Sequence, residues 1–440
     1  MKLRGGWLRK SEKACRLQCN PGTLVVGRIK KNIILPKIPF MQLLEVTDNK
    51  TRSLFHKVPH LIYKDDPHWA CPLEMMVENV FDPAKNASFK NGEAIRWVLT
   101  GEEGRLLGRI GAFVNHDKAR VYEQPTGGCG FFECVNDREA AAQLFGAAEA
   151  WLKNRGMEAM DGPVNFGENY MNWGLLVDGF MPQGFGMPYN PPYYLRLFEE
   201  YGFKTYFKQF SYHLDITLPE LPERFWKVAE WVAKKPQFNF RHFSWKESAK
   251  FVEDFATVYD DAWRFHEHFK PMDRDDLHDF LSSSKLMIEE KFIWFAYHEE
   301  TPIAVFVMIP DINQILRRLN GKPHLWNFMK LMWYKKARVM TRTRGIIIGI
   351  SPKYQRSGIE SAIFWHLRPV MYTMPWYKEM ELSWAGDFNP KIVALYESVG
   401  GKHMKTHLTM RCLFDRTKPF TRAPLIGQKP EEIKKQNIQE

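Results

Sequence analysis

The 440-residue sequence lacks the features that would assign it to several common classes. No apolar run approaches the roughly 20 residues that a transmembrane helix needs, so we expect no transmembrane segment. The cysteines show neither a CxxC pair nor the Cys/His spacing of a metal site, so we expect no metal and reduced thiols in a cytoplasmic protein. There are six of them: Cys15, Cys19, Cys71, Cys129, Cys134 and Cys412.

The chain as a whole also lacks an evenly spread positive charge, although its net charge is +11. Residues 1–40 contain ten Lys or Arg and one acid, Glu12, so they supply nine of those eleven charges. The remainder has no basic footprint, so we expect no specific nucleic-acid partner. Met41 opens an ordinary domain start, which predicts that residues 1–40 are an unstructured basic extension. An arm for nucleic acid or anionic lipid is the alternative.

The sequence does contain an internal repeat, in which the same order of motifs occurs in both halves. A phrase that begins at Asn190-Pro191 returns at Asn389-Pro390. Both copies place Asn-Pro at a helix start, where Asn caps and Pro is tolerated, and both end in a glycine suited to a helix terminus. A hairpin pattern precedes each phrase, from Trp97 in the first half and from Trp294 in the second.

Each half therefore predicts helices, an antiparallel hairpin, a strand–loop–helix unit, a further strand, the Asn-Pro helix and a closing strand. This mixed order is typical of an α/β fold, more exactly described as α+β with a mixed, partly parallel sheet. We expect a basic extension over residues 1–40, a first domain over 41–220, a second over 221–415 and a flexible tail over 416–440.

The strand–loop–helix unit of the second half carries the clearest chemistry. An apolar, β-branched run from Gly345 breaks at Ser351-Pro352, turns through QRSG and continues as an amphipathic helix. Such a loop aims backbone N–H groups at an anion, with the positive end of the helix dipole behind them.

This order of elements resembles the GNAT (GCN5-related N-acetyltransferase) fold, and residues 41–415 resemble a tandem of two such domains. ISPKYQRSGIES is similar to the family's pyrophosphate loop, usually written Q/R-x-x-G-x-G/A, with Gln355 and Gly358 at the first two fixed positions. The chain also resembles a set of bacterial tandem GNAT-like acyltransferases in YKDDPHW, GFFE, PYNPPYY and PDIN.

The resemblance implies an N-acyltransferase that moves an acyl group from acetyl-CoA or another acyl-CoA to a small-molecule or lipid-like amine, with its active site in the C-terminal half. FNPKIVALYESVGGK resembles the helix whose tyrosine serves the family as general acid, here Tyr396; simple packing of Tyr396 on the sheet is the alternative. The implied donor contacts are Ile350, Lys353, Gln355, Arg356, Ser357, Gly358, Ile359 and Asn389.

Two departures from the family pattern bear on donor binding. Glu360 stands where Gly or Ala is usual, and an exposed carboxylate there would cost on the order of 1 kcal/mol if it faced phosphate. In the first half, residues 134–139 read CVNDRE, without glycine, so we expect no CoA there and Asp137 as a helix cap. The alternative function is a non-catalytic binding module for a small ligand or a protein partner.

Acyl transfer to an amine needs a base, an acid and donors to the carbonyl oxygen. We expect Glu381 to be the base, because strand alternation puts it on one face with Ser383; Asp387 is a competing choice. Asp311 and Asn313 end a buried-looking strand and are acceptor-site candidates, although helix capping also explains Asp311.

A glycine-rich insert over residues 162–180 is too polar for a core. Its Asn165, Glu168 and Trp173 are candidate substrate contacts, because ligand sites favour loops and domain junctions. A structured lid without a ligand is the alternative. The sequence leaves open the amine, the acyl chain length and the oligomeric state.

Overall fold

A computed structural model describes residues 41–120, 124–167, 171–217, 223–264, 271–285, 287–319, 321–322 and 324–426. Within them, thirteen strands form one sheet and twelve α-helices pack on it. The strands are β1 Gln42–Glu45, β2 Gly92–Thr100, β3 Leu106–Asn115, β4 Thr126–Cys134, β5 Ala159–Gly162, β6 Leu175–Asp178, β7 Lys204–Asp215, β8 Phe238–His242, β9 Ile293–His298, β10 Thr301–Pro310, β11 Arg342–Ile350, β12 Glu379–Gly386 and β13 Lys402–Leu413. The helices are α1 Asn49–Ile62, α2 Glu74–Val80, α3 His116–Ala119, α4 Arg138–Lys153, α5 Tyr194–Tyr201, α6 Glu223–Ala233, α7 Ser248–Trp263, α8 Arg274–Ser283, α9 Asn313–Leu316, α10 Leu325–Lys336, α11 Ile359–Thr373 and α12 Pro390–Ser398.

The two halves exchange their closing strands. The sheet runs β1-β2-β3-β4-β5-β13-β7-β12-β11-β10-β9-β8, and β6 pairs with β13. The last strand of the first half, β7, therefore pairs with β12 of the second half, and the last strand of the chain, β13, pairs with β5 of the first. The sequence predicts a closing strand in each half, but the structure places each of these strands against the other half.

The predicted local elements are found where the sequence patterns place them. The hairpins are β2–β3 and β9–β10, and the strand–loop–helix units are β4–α4 and β11–α11. Asp137 caps α4, as predicted, by accepting a hydrogen bond from the Ala140 N–H. This agreement reflects local causes, because caps, turns and alternation act over a few residues.

The Asn-Pro helices form, but their asparagines do not cap them through side-chain hydrogen bonds. The Asn190 side chain instead bonds both the N–H and the C=O of Leu176 on β6. Asn389 stands at the N-cap of α12 and makes no side-chain cap bond there. Gly202 and Gly400 end the two helices with positive φ angles, as predicted.

In each half, two parallel strands pair briefly and then separate. β4 pairs with β5 only over residues 126–128, and β11 pairs with β12 only over residues 342–345. In the first half the chain after β5 packs back on β4: the Val164 N–H donates to the Cys129 carbonyl, and a Cβ on Gly130 would lie 2.0 Å from the Val164 carbonyl oxygen. The space beside β4 is thus filled by the protein's own backbone.

Two large apolar cores lie on the sheet, one in each half. Phe185, from the first half, is a member of the second-half core, and Leu408, Met410 and Cys412 of β13 belong to the first-half core. No helix in the described residues is long and apolar enough to cross a membrane.

The chain after Arg416 stays attached to the body, although the sequence places it in a flexible tail. Lys418 pairs with Glu158, and the Ala423 N–H donates to the Tyr206 carbonyl. The contacts continue as far as Ile426, whose N–H donates to the Phe388 carbonyl. Residues 427–440 and the predicted basic extension 1–40 lie outside the described residues.

Candidate functional site

An apolar cleft opens where β11 and β12 separate. Beyond Gly345 and Leu382, in the described part of the chain, the two strands have no paired residues, and α12 lies across the gap. The free space between its walls is about 10 Å³, which is room for about one water molecule. Its lining comprises Phe306, Gly345, Ile347, Ile348, Phe364, Leu382, Leu395, Tyr396 and Val399. The walls are apolar, and an alkyl chain or the arm of a thioester donor would enter only if they moved apart.

Tyr396 borders this cleft from α12. It is 7% exposed, and its ring meets that of Tyr212 edge-on at 5.7 Å. Burial raises the pKa of the Tyr396 phenol to about 12, although the charge of Arg344 opposes the shift. The hydroxyl is therefore protonated at neutral pH, as a general acid must be.

The loop between β11 and α11 places its predicted donor-binding residues at the C-terminal end of β11, the strand that forms one side of the cleft. Gly358 begins the helix with φ +81°, and Arg356 before it has φ +63°. The first intrahelical bond runs from the Ala362 N–H to the Gly358 carbonyl, so the N–H groups of residues 359–361 have no helical partner. Lys353, Gln355 and Arg356 are exposed.

The remaining predicted donor contacts have structural roles as well. The Gln355 side chain donates to the Ile350 carbonyl, and the Ser357 hydroxyl donates to the Tyr354 carbonyl, which tightens the turn. Ile359 is fully buried in the second-half core, so only its backbone faces the loop. Asn389 is half-buried at the start of α12.

Glu360 is half-buried at the start of α11, so its carboxylate is not fully exposed to solvent. Its Oε2 is buried without a hydrogen-bond partner among the described residues. Burial raises the pKa of Glu360, while its own backbone N–H, which hydrogen-bonds the carboxylate, lowers it. A carboxylate of this chain therefore occupies part of the helix start that an anion would use.

Glu381 lies on the other face of β12, in a buried ionic cluster. Its Oε2 accepts a hydrogen bond from Lys405 Nζ at 2.9 Å, and Arg342 Nη1 lies 3.9 Å away. Burial raises the pKa of Glu381, but Lys405 and Arg342 outweigh it and hold that pKa below its usual value. Oε1 has no partner in the described chain, and the residue is 0% exposed.

Asp311 and Asn313 contact a segment of the first half, residues 182–188, which we call the strap. Asp311 pairs with Arg342 at 2.6 Å and accepts the Phe185 N–H at 2.8 Å. It also accepts the N–H of Asn313, the first residue of α9, at 3.2 Å, although Ile312 stands at the N-cap position of that helix. The Asn313 side chain donates to the Gly184 carbonyl.

The strap seals the cluster so closely that a side chain at one of its glycines would not fit. A Cβ on Gly184 would lie 2.9 Å from Glu381 Oε2, and Arg344 donates to the Phe185 carbonyl. Arg344 also bonds the Ser383 hydroxyl at 2.7 Å, so the predicted shared face of Glu381 and Ser383 exists. Both side chains face the strap rather than open solvent.

The predicted substrate contacts of the insert are spread over the junction of the halves. Trp173 Nε1 donates to the Thr409 hydroxyl on β13, and the Trp173 carbonyl accepts from Gln209 on β7. Asn165 is half-buried, and its Oδ1 has no partner within the described ranges. Glu168 lies outside the described residues. Asp387, the competing base, binds the Lys208 N–H and Arg422 at the surface.

Sequence reasoning missed the basic members of this cluster. Arg342 and Arg344 alternate along β11, and Lys405, His407 and Arg411 alternate along β13; all five are nearly fully buried. Burial lowers the pKa of His407 to about 4, with a further contribution from Lys405, so His407 is neutral. Polar alternation in both strands was the available signal, but it is also typical of a solvent-facing strand.

The first half holds a comparable buried cluster around Glu133. Glu133 accepts hydrogen bonds from the hydroxyls of Tyr63 and Tyr194 at 2.7 and 2.8 Å. Burial raises the pKa of Glu133, and Arg109 opposes that shift. Among the described residues, no group of three or more His, Cys, Asp or Glu is placed to hold a metal ion.

Two curated relatives span most of the chain, and no family model matches it. Protein YghO of Escherichia coli (strain K12) is 26% identical over 357 residues, which cover 80% of this chain and 90% of that protein. The bacterial ceramide synthase of Caulobacter vibrioides (strain NA1000 / CB15N) is 28% identical over 364 residues, 80% of this chain and 92% of that protein.

Solved structures give the same architecture at low identity. A tandem GNAT protein from the clavulanic acid biosynthesis pathway is similar with a TM-score of 0.52 at 9% identity, covering 87% of this chain and 100% of that one. The glucosamine N-acetyltransferase region of a fungal multi-domain β-N-acetylglucosaminidase has a TM-score of 0.51 at 11% identity, covering 86% of this chain and 38% of that one.

Proposed function

We propose that this chain, which has the tandem GNAT fold, is an N-acyltransferase that moves an acyl group from an acyl-CoA to a lipid-like amine in its C-terminal half. One observation carries the proposal: β11 and β12 separate beyond Gly345, and the gap between them is apolar and bordered by a protonated tyrosine. The matching space in the first half is filled by Val164, which supports a single active half.

The loop beside the cleft supports a CoA-type donor. Gly358 makes the tight turn into α11, and the exposed Lys353 and Arg356 supply positive charge for a diphosphate. The pantetheine arm would then follow β11, whose edge beyond Gly345 has no strand partner in the described residues.

The chemistry would be a single acyl transfer. The amine nitrogen attacks the thioester carbonyl carbon, a C–N bond forms and the C–S bond breaks. The thiolate that leaves takes the proton of the Tyr396 hydroxyl, and the ammonium proton goes to a base. The unpaired edge of β11 supplies backbone N–H groups for the carbonyl oxygen.

Glu381 remains our proposed base. Its lowered pKa keeps it ionised at neutral pH, and its Oε1 has no hydrogen-bond partner among the described residues. Because the strap covers it completely, an amine would reach Glu381 only after residues near Gly184 shift. The first half thus acts as a wall of the acceptor site.

A lipid-like acceptor is favoured by the walls of the cleft and by one relative. The cleft is apolar throughout, apart from the Tyr396 hydroxyl, and so fits alkyl chains better than polar amines. The relative from Caulobacter vibrioides is named a bacterial ceramide synthase, and a ceramide is the amide of a long-chain amine. We therefore propose a long-chain amine and a long-chain acyl-CoA.

Calorimetric titration of acetyl-CoA and palmitoyl-CoA tests the donor site. Leu395→Trp should abolish binding of both by filling the cleft, whereas Leu195→Trp, on the matching helix α5, should not. Arg356→Asn should weaken binding, because it removes a charge while suiting the positive φ. Equal binding by Leu395→Trp and wild type would refute this location.

The second candidate, a non-catalytic binding module, is favoured by the buried Glu360 carboxylate at the helix start. If wild type binds no CoA while Glu360→Gln does, the carboxylate closes the site and the binding module is the better reading. If both bind, and thiol release depends on an added long-chain amine, the enzyme is supported.

A further inference from the structure

Helix α10 lies between β10 and β11 and carries large apolar side chains on its exposed face as well as on its buried one. Asn327 is buried, and Leu331 and Tyr334 pack against the second-half core. The opposite face exposes six large apolar side chains to between 42% and 74%: Leu325, Trp326, Phe328, Met329, Met332 and Trp333. Apolar area concentrated in this way is typical of an interaction site.

The surroundings of this face carry charge of one sign. From residue 312 to residue 359 the chain contains no Asp or Glu. The segment between β10 and β11, residues 313–338, contains seven basic residues: Arg317, Arg318, Lys322, Lys330, Lys335, Lys336 and Arg338. At 3.6 residues per turn, Lys330 and Lys335 flank the apolar face on opposite sides. An anionic partner surface fits this arrangement.

We propose that α10 docks this protein on an anionic lipid bilayer. The apolar face would lie at the boundary of headgroups and acyl chains, with the Trp326 and Trp333 rings at that level. The flanking Lys330 and Lys335 would reach the lipid phosphates with their stems along the apolar surface.

A second cavity, beneath the C-terminal half of α10, favours lipid over a folded protein as the occupant. Its free volume is about 280 Å³, between α10, the end of β10 and the residues just before β11 and β12. Its walls are mainly apolar, with Met332, Met340 and Trp376 among them. Its lining contains three basic residues, Lys335, Lys336 and Arg338, and one acidic residue, Glu289. A cavity with apolar walls and basic groups fits a single lipid molecule with an anionic headgroup.

Vesicle flotation of the full chain tests this surface. Wild type should float with vesicles of phosphatidylglycerol and phosphatidylcholine, less so in high salt, and not with phosphatidylcholine alone. Trp326→Ser combined with Trp333→Ser should lower binding at least tenfold. Trp231→Ser on α6 is the matched control, because Trp231 and Trp333 are both 63% exposed.

A charge variant separates the two contributions. Lys330→Glu with Lys335→Glu should remove the preference for anionic vesicles, whereas Lys391→Glu on α12 should not. Unchanged melting temperatures would show that the variants fold, as expected for exposed positions.

Several outcomes would overturn the proposal. The first is that wild type does not float with the vesicles. The second is that flotation survives the Trp pair, which would place the binding surface elsewhere, for example on residues 1–40. The third is that wild type is a dimer, that the Trp pair dissociates it, and that neither protein binds vesicles. The assay contains no CoA, so its result does not depend on the proposed acyl transfer.

Discussion

At the scale of single residues, burial decides what each candidate group can do. Tyr396 and Glu360 both lose water in the folded chain, and both therefore favour their neutral forms. For Tyr396 the neutral form is the useful one, because an acid must carry its proton. For Glu360, burial of the carboxylate is not offset by a hydrogen bond to Oε2, which has no partner among the described residues.

Tyr396→Phe should lower turnover by about 10²- to 10⁴-fold while leaving acyl-CoA affinity unchanged, because only the proton for the leaving thiolate is lost. Thiol release with a long-chain amine gives turnover, and calorimetry gives affinity. Tyr212→Phe is the control, since Tyr212 packs on Tyr396 and its hydroxyl faces Glu397. Full turnover in Tyr396→Phe would mean that the ring only packs.

Glu360→Gln should stabilise the protein at neutral pH by about 1 kcal/mol or more, because it removes a buried, partly unsatisfied charge. The raised pKa of Glu360 means that folding is penalised as pH rises above 4.5, the ordinary value, and through the folded-state pKa. The difference from wild type should therefore be small below pH 4.5 and grow to a plateau.

Denaturant unfolding between pH 4 and 8 measures that difference. Glu139→Gln is the matched control: Glu139 occupies the same second helical position in α4 and is exposed. It should be neutral or slightly destabilising, because it removes a favourable charge near a helix start. A pH-independent difference for Glu360→Gln would contradict the burial argument.

At the scale of elements, β13 shows how one strand joins two halves. Its alternate side chains Lys405, His407, Thr409 and Arg411 are all at most 3% exposed, because the strap and the glycine-rich insert cover that face. The face is polar, yet each member named has a partner: Glu381, the Pro188 carbonyl, Trp173 and Asp161.

Arg411→Leu should destabilise the protein by about 3–5 kcal/mol, because it leaves the Asp161 carboxylate buried without its bidentate partner at 2.6 and 2.8 Å. Combining it with Asp161→Asn should restore much of the loss. Arg422→Leu, which breaks an exposed pair with Asp387, should cost less than about 1 kcal/mol. Chemical unfolding measures all three, and equal effects of the two arginines would refute the prediction.

At the scale of the whole molecule, the strand exchange leads us to expect that the two halves fold as one unit, although the sequence repeats one order of elements. The centre of the sheet is β5-β13-β7-β12, so each half contributes a strand that lies between strands of the other. Phe185 adds an apolar link, because it belongs to the second-half core.

Fragments covering residues 41–217 and 223–426 should therefore each fail to fold alone, since each would present an unpaired sheet edge and an open core. When the two fragments are co-expressed, they should associate and unfold in one thermal transition. Circular dichroism and calorimetry measure the folding and the melting transition. A monomeric 41–217 fragment with its own cooperative melt would show that the halves are independent domains.

The sequence by itself determined the tandem GNAT fold class, the hairpins, both strand–loop–helix units and the Asp137 cap, because alternation, capping and glycine turns act between near neighbours. Only the tertiary structure decided that β7 and β13 change places, that Asn190 holds β6 instead of capping α5, and that Glu360 is buried. The strand exchange depends on which sheet edges meet between distant parts of the chain, and the Asn190 and Glu360 outcomes depend on the surfaces that pack around each side chain, so no local pattern encodes them.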